Sequence, residues 1–303
     1  MQYAYFSSVF TCENLTNLPE IEEVHGGHRL HSVSITEHKI TKELKHLKPT
    51  TSSGPSGFSN CFLKDFGNEL AFPLKLVFTN SIVNGIIPND WKVANVTPIF
   101  KKGSKSDPGN YRPVSLTCVV GKLLERLIKS EIVNHIESNK LIRDTQHGFR
   151  PGLSCTSNLL NFLELATKAV DEGNAFDIIY FDFSKAFDKV PRERLLSKLK
   201  AFGIVGHILT WIRNWLTGRR QRTVISGATS DWTDVLSGVP QGSVLGPILF
   251  IIFNDDIDLC VALIKAFAKF ADDIKNGNLI MSPNDAENLQ ACIDSFFEWA
   301  KKS

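Results

Sequence analysis

No CxxC pair joins any of the six cysteines, Cys12, Cys61, Cys118, Cys155, Cys260 and Cys292, and their scatter offers neither a zinc knuckle nor a disulfide framework. Reduced thiols in an intracellular protein are the expectation that follows. The first ten residues lack the basic start and long apolar run of a secretory signal. Long hydrophobic runs are missing as well. The most apolar stretch, from Val244 to Phe253, is interrupted by Gly246 and Pro247 and runs into Asn254-Asp255-Asp256, so it reads as a core helix and no membrane is expected as a partner. Charge of one sign is not in excess either. With 34 Lys and Arg against 32 Asp and Glu the net charge is +2, so any case for nucleic acid must rest on local basic patches. The sequence contains no GxxxxGK[ST], GxSxG or HExxH, which removes support for P-loop, α/β-hydrolase and zincin chemistry.

What is present is an ordinary globular composition, 43% hydrophobic and 22% charged, over 303 residues, enough to bury a real core. Residues 1–35 show no sustained period, and the fold is expected to start near residue 36, leaving His25, His28 and His31 on a mobile surface. Ile40, Leu44 and Leu47 then mark a short amphipathic helix. Residues 48–57 read as a loop, and Pro73 to Asn84 as a helix that Gly85 can cap. Trp91 to Phe100 reads as a strand ending in a basic turn at Lys101-Lys102-Gly103-Ser104-Lys105. Helical period returns at Leu123, Leu124, Leu127, Ile128, Ile132 and Ile136, and again over Ser154 to Ala169 with Leu159, Leu163 and Ala166. Phe176 to Phe183 reads as a buried strand. Helices over Pro191 to Ala201 and Val205 to Leu216 follow, then a hairpin from Arg219 to Leu236, the apolar helix, and a second hairpin from Ile264 to Ile280. A last helix is expected from Asn284, with Glu287 three residues on as its capping partner. No repeat, low-complexity tract or linker divides the chain, so one lobed domain is expected.

The second hairpin carries Asp272 and Asp273 at its tip, in Phe270-Ala271-Asp272-Asp273, and Asp182 closes the apolar run Ile178-Ile179-Tyr180-Phe181-Asp182. Carboxylates at the ends of hydrophobic strands repel and lose hydration, so they take up protons or hold a divalent cation. Oxygen-only ligands favour Mg2+, with Mn2+ as a substitute. Two such ions, roughly 3.5 to 4 Å apart, are the usual device for in-line displacement at phosphorus. Alone, an Asp pair at a hairpin tip is an ordinary solvated turn. Alone, too, Phe187 reads as core, Gln241-Gly242 as a turn, and Lys101, Lys102, Arg112, Arg219, Arg220 and Arg222 as solvated surface.

Their order changes that reading. Asn110-Tyr111-Arg112-Pro113, Gln146-His147-Gly148-Phe149-Arg150, Phe181-Asp182-Phe183-Ser184-Lys185-Ala186-Phe187-Asp188, Ser237-Gly238-Val239-Pro240-Gln241-Gly242 and Phe270-Ala271-Asp272-Asp273 follow one another. From about residue 40 onward the chain resembles the reverse transcriptase domain of non-LTR retrotransposons, most of all the jockey and CR1-like groups. The resemblance implies an α+β fold with right-hand fingers over about 36–170 and a palm over about 171–303, the palm carrying an antiparallel sheet of ferredoxin-like character. It implies an RNA-directed DNA polymerase that transfers nucleotides from dNTP to a primer 3′-hydroxyl on an RNA template, with two Mg2+ ions. It makes Asp182, Asp272 and Asp273 the catalytic and metal-holding acids, Asp182 and Asp272 foremost. By the same resemblance Phe187, five positions after Asp182, excludes a 2′-hydroxyl, Gln241 and Gly242 contact nucleotide and template, and Lys101, Lys102 and Arg112 clamp the triphosphate. Arg219, Arg220 and Arg222 are the further candidates for phosphate contact. The sequence departs from the pattern at Ser56, where relatives usually carry an acid, and at Asn254-Asp255. Relatives also continue past Trp299 into a thumb, which is expected to be absent here, so the alternative is an inactive or domesticated fragment that only binds nucleic acid.

Overall fold

Apolar side chains at every third or fourth position draw the helices of this chain onto β-rich segments, and a computed structural model describes the outcome for residues 2–16, 18–19, 21–49, 54–261 and 266–302. In chain order the elements are α1 (Gln2–Ser8), α2 (Glu37–Lys45), α3 (Asn60–Asp65), α4 (Gly67–Asn84), α5 (Asn89–Lys92), β1 (Val93–Phe100), β2 (Tyr111–Thr117), α6 (Val119–Ser138), α7 (Cys155–Asp171), β3 (Ala175–Asp182), α8 (Ala186–Lys189), α9 (Arg192–Ala201), α10 (Gly206–Leu216), β4 (Arg220–Ile225), β5 (Ala228–Thr229), β6 (Thr233–Asp234), α11 (Gly246–Phe253), β7 (Ala266–Phe270), β8 (Asp273–Ile280) and α12 (Pro283–Lys302). The class is α+β, with one mixed and one antiparallel sheet. Residues 50–53 of the expected loop and Ile264, the expected start of the second hairpin, lie outside the described residues. Among the described residues no helix is long and apolar enough to cross a membrane.

The elements sort into two units that interleave along the chain, Met1–Asn139 with Phe187–Gly246, and Lys140–Ala186 with Pro247–Ser303. They do not follow the single division near residue 170 expected from the sequence. In the first unit β1 pairs antiparallel with β2 and parallel with β4, and β5 and β6 pair antiparallel with β4. The core beside this sheet holds Leu124, Ile128, Ile132 and the stacked rings of Trp211 and Trp215, with Trp211 Nε1 donating to Ser81 Oγ at 2.9 Å. Helix α2 buries Ile40 and Leu44 as its spacing predicts. Helix α4 begins at Gly67, six residues before the expected start, and carries Pro73 inside it; Gly85 ends it at φ +65°, the left-handed cap the sequence indicates.

The N-terminal segment is part of this unit, contrary to the expectation of an irregular lead-in. Phe6 is buried, and the Glu13 carboxylate accepts from the backbone N–H groups of Glu193 and Arg194 at 2.8 and 3.0 Å, so it caps α9 from outside. Leu30 forms a parallel bridge with Ile204. His25 is buried rather than mobile surface, its Nδ1 accepting from Gly27 N and its Nε2 facing Glu23. Periodicity could not show this, because Glu13 and Leu30 bind partners far along the chain.

In the second unit the antiparallel sheet runs β3-β8-β7. Strand alternation puts Phe181, Ile274 and Lys269 on one face and Asp182, Tyr180, Asp273 and Ala268 on the other. The first face is covered: Ile257, Ile274 and Phe296 form a buried cluster against which Phe181, Phe183 and Trp299 pack. The second is covered at one end only, where Phe162 of α7 meets Ala266, Ala268 and Phe176. Strand β3 is therefore not the buried strand its apolar run suggests. It is an edge strand whose far end, including Ile178 and Tyr180, is exposed. Helix α7 starts where expected, capped by Ser154, but it buries Asn158, Phe162 and Ala169 and leaves Leu159 and Leu163 exposed. Helix α12 starts at Pro283, and Asp285 rather than Glu287 closes its first turn, accepting from Ser282 N at 2.8 Å.

Candidate active site

The acidic hairpin forms as its sequence dictates, two β-rich runs joined by the two residues Ala271 and Asp272, with Phe270 opposite Asp273. Asp182, the last residue of β3, lies directly opposite Asp273, the first of β8. Side chains so placed have Cβ atoms about 4.5–5.5 Å apart. Asp182 and Asp273 are exposed and Asp272 is half-buried, which corrects the premise that these acids lie buried. Asp182 sits at the open end of the edge strand β3 and Asp273 opposite it at the start of the central strand β8, so mutual repulsion, more than lost hydration, is what a cation would relieve. The oxygen-only donor set of the Asp182–Asp273 pair fits a hard divalent cation. Among the described residues no group of three or more His, Cys, Asp or Glu side chains converges as a ready metal cluster.

Beneath the turn lies a buried polar layer that no sequence pattern marks. Ala271 adopts φ +58°, a left-handed conformation unusual for a residue with a side chain. Gln146 Oε1 accepts from Ala271 N at 3.1 Å and from Gly148 N at 2.8 Å, and Asn254 Nδ2 donates to Ala271 O at 2.8 Å. On β7, Lys269 is fully buried; its Nζ donates to Asp255 O at 3.1 Å and pairs with Asp258, which also accepts from Thr145 Oγ1. Burial pushes the Asp255 carboxyl above its ordinary range, with Lys269 opposing the shift. Gln146 stood in a quoted motif and Asn254 in a noted departure, yet only tertiary contact reveals what either holds.

In the first unit the remaining candidates fall into three groups. Lys101, Lys102 and Arg112 gather at one end of the β1–β2 hairpin, where Ile99 pairs with Arg112 and Lys101 N donates to Asn110 O at 2.9 Å. All three are exposed, and among the described residues none has an ion-pair partner. The second group surrounds Gln241 and Gly242. Ser115 N on β2 donates to Gln241 O at 2.8 Å, and a Cβ on Gly242, which sits at φ +109°, would lie 2.7 Å from Ser115 O. Phe187 on α8 reaches the same segment, its carbonyl accepting from Val239 N at 2.8 Å. Glu125 of α6 secures the far side: its fully buried carboxylate accepts from Val244 N and Leu245 N at 2.7 and 3.2 Å. Burial raises its pKa, and those two N–H groups and the Arg219 charge oppose the rise. No motif marked Glu125.

The three arginines near β4 do not form one surface. Arg219 is buried, its Nη1 donating to Trp215 O at 3.0 Å and its guanidinium 5.0 Å from the Trp215 ring centroid; burial lowers its pKa to about 10. It holds the α10–β4 junction from inside and is not placed to meet phosphate. Arg220 and Arg222 lie on the other side of the strand, flanking the Trp232 ring at 6.0 and 4.6 Å, with Arg222 Nε donating to Asn95 Oδ1.

An antiparallel sheet ending in paired carboxylates in one unit, with exposed cations gathered on one hairpin of the other, points to a class of phosphate-handling α+β protein. Within that class, the family described as reverse transcriptase (RNA-dependent DNA polymerase) matches residues 99–303, and the chain belongs to it. It is 30% identical over 278 residues to the RNA-directed DNA polymerase from mobile element jockey of Drosophila funebris, an alignment covering 88% of this chain and 30% of that protein. It is 29% identical over 275 residues to the probable RNA-directed DNA polymerase from transposon BS of Drosophila melanogaster, covering 87% and 30%. With the probable RNA-directed DNA polymerase from transposon X-element of the same fly it shares 30% identity over 254 residues, covering 80% and 27%. The chain thus spans less than a third of the length of these relatives.

Proposed function

We propose that this chain carries the RNA-directed DNA polymerase centre of a retrotransposable element, extending a DNA primer on an RNA template with dNTPs. The observation that carries the reading is the register of Asp182 against Asp273 beside the Asp272 turn, in a chain of this family. Palm corresponds to the β3-β8-β7 unit and fingers to the β1–β2 hairpin and its helices. In the reaction the primer 3′-oxygen attacks the α-phosphorus and pyrophosphate leaves, so negative charge must be met on both sides of the phosphorus. Asp182 and Asp273, with Asp272 in support, would hold Mg2+ or Mn2+, which supplies activation of the 3′-hydroxyl and charge neutralisation. Lys101, Lys102 and Arg112 meet the triphosphate, and cations on an exposed hairpin do so with little desolvation to overcome. The Phe187 ring sets the sugar preference, and the Gln241-Gly242 backbone, pinned by Ser115 and Glu125, lets nucleotide and template approach closely. Arg220 and Arg222 are left for phosphate contact along the strand; the burial of Arg219 removes it from that role.

Extension of a labelled DNA primer annealed to RNA, with dNTPs and Mg2+ or Mn2+, tests the reading. The wild-type chain extends the primer and Asp272→Ala does not; equal product from the two rules out catalysis at this hairpin.

A further inference from the structure

We propose that Gln146 and Asn254 are positioning residues for the acidic hairpin: their buried amides hold the Ala271-Asp272 turn in its left-handed form and so fix Asp272 and Asp273 relative to Asp182. The role assigned to the turn rests on the reading of these acids as the metal-holding groups.

Nothing in the turn itself selects its conformation. Ala271 sits at φ +58° without the freedom of glycine, so the shape must be imposed by its surroundings. Both polar groups of Ala271 are taken by side chains, its N–H by Gln146 Oε1 and its C=O by Asn254 Nδ2, and both amides are fully buried. Gln146 is held at that place by the segment that carries it. Lys269 N donates to Thr145 O at 2.8 Å and His147 N to Lys269 O at 2.9 Å, so residues 145–147 run beside β7 as far as the turn. A Cβ on Gly148 would lie 2.5 Å from Ala271 N, so the approach of this segment to the turn needs a glycine there.

Stability does not account for these amides. Among the described residues, the buried Gln146 Nε2 and Asn254 Oδ1 meet no hydrogen-bond partner. The unpaired end of each amide keeps its desolvation penalty, a cost that an apolar side chain of similar size would not carry. What each amide does accomplish is to hold one end of one strained residue next to two carboxylates. Gln146 stands 125 residues from Ala271 and Asn254 stands 17, so the two enter the turn from separate parts of the chain.

The test uses the 303-residue chain and its variants Gln146→Met and Asn254→Leu. Hydrogen exchange resolved at Ala271, primer extension, and Mn2+ binding followed by electron paramagnetic resonance are measured on each. In Gln146→Met the Ala271 amide exchanges about tenfold faster or more while β3 and α12 amides keep their protection. The turnover rate falls about tenfold or more with the KM for dNTP within about twofold, because the acids move and the nucleotide contacts do not. The Mn2+ concentration at half saturation rises in step. Ala271→Gly placed in the Gln146→Met background restores much of the lost turnover, since glycine holds the left-handed turn unaided. If Gln146→Met does not fold, Asn254→Leu is read in the same way, with Ala271→Gly placed in its background as the rescue. Unchanged exchange at Ala271 overturns the proposal, and so does faster exchange with turnover and Mn2+ binding unmoved. If instead wild type and Asp182→Asn extend primers and bind Mn2+ equally, the reading of the acids fails, and the exchange measurement still decides whether the amides hold the turn.

Discussion

Two carboxylates set opposite each other on neighbouring strands repel, and at Asp182 and Asp273 among the described residues no basic side chain forms an ion pair with either. Asp182→Asn or Asp273→Asn is therefore predicted to raise stability by about 0.2–1 kcal/mol in low salt. Urea unfolding measures this, and destabilisation by either variant would contradict the account. Glu125 gives a second prediction at this scale. Its pKa is raised in the fold by burial, so its contribution to stability is fully present below the ordinary glutamate range and is lost as pH rises through the folded value. Glu125→Gln keeps an acceptor for Val244 N and Leu245 N and flattens that pH dependence. Glu125→Leu leaves both N–H groups unpaired and costs about 1–3 kcal/mol. Unfolding of the three proteins between about pH 4 and 8 distinguishes them. Such residues mark the limit of legibility. Asp272, Asp273 and Asp182 stood out because acids inside apolar runs break a local pattern, whereas Glu125, Gln146 and Asn254 break none, and their partners are set by tertiary contact alone.

At the scale of elements, helix α12 is what holds the Asp182 strand. The Phe296 ring stacks on Phe181 at 4.0 Å and lies 5.6 Å from Phe183, so residues on either side of Asp182 rest on one buried ring. Phe296→Ala is predicted to cost about 3–5 kcal/mol and to lower polymerase activity with it. A loss under about 1 kcal/mol by urea unfolding would show that α12 does not support β3. Elements with strong period were readable: α6 buries the Leu and Ile residues its spacing indicated, and the hairpin tip fell where the Asp pair put it. Strand β3 was misread because an apolar run looks the same whether both faces are covered or one end of an edge strand is left open. Helix α7 was misread for a related reason. Its leucines formed a periodic stripe, but the sheet receives Phe162 and Asn158 instead.

For the molecule as a whole, the net charge of +2 makes attraction to nucleic acid a local matter. If Arg220 and Arg222 supply the phosphate contacts, the affinity for a primed RNA template falls with salt at a log–log slope of roughly −1.4 to −1.8. Each substitution by Ala weakens that slope by about 0.7–0.9, measured by fluorescence anisotropy. A slope unchanged in the double variant would move the interface elsewhere. The central claim concerns chemistry at the hairpin, and the single-turnover rate of dNTP addition to a primed RNA template tests it most directly. The account predicts metal-dependent addition by the wild type and a loss of at least about a hundredfold in both Asp182→Asn and Asp273→Asn, with template affinity retained. Equal rates in wild type and the two variants would contradict it.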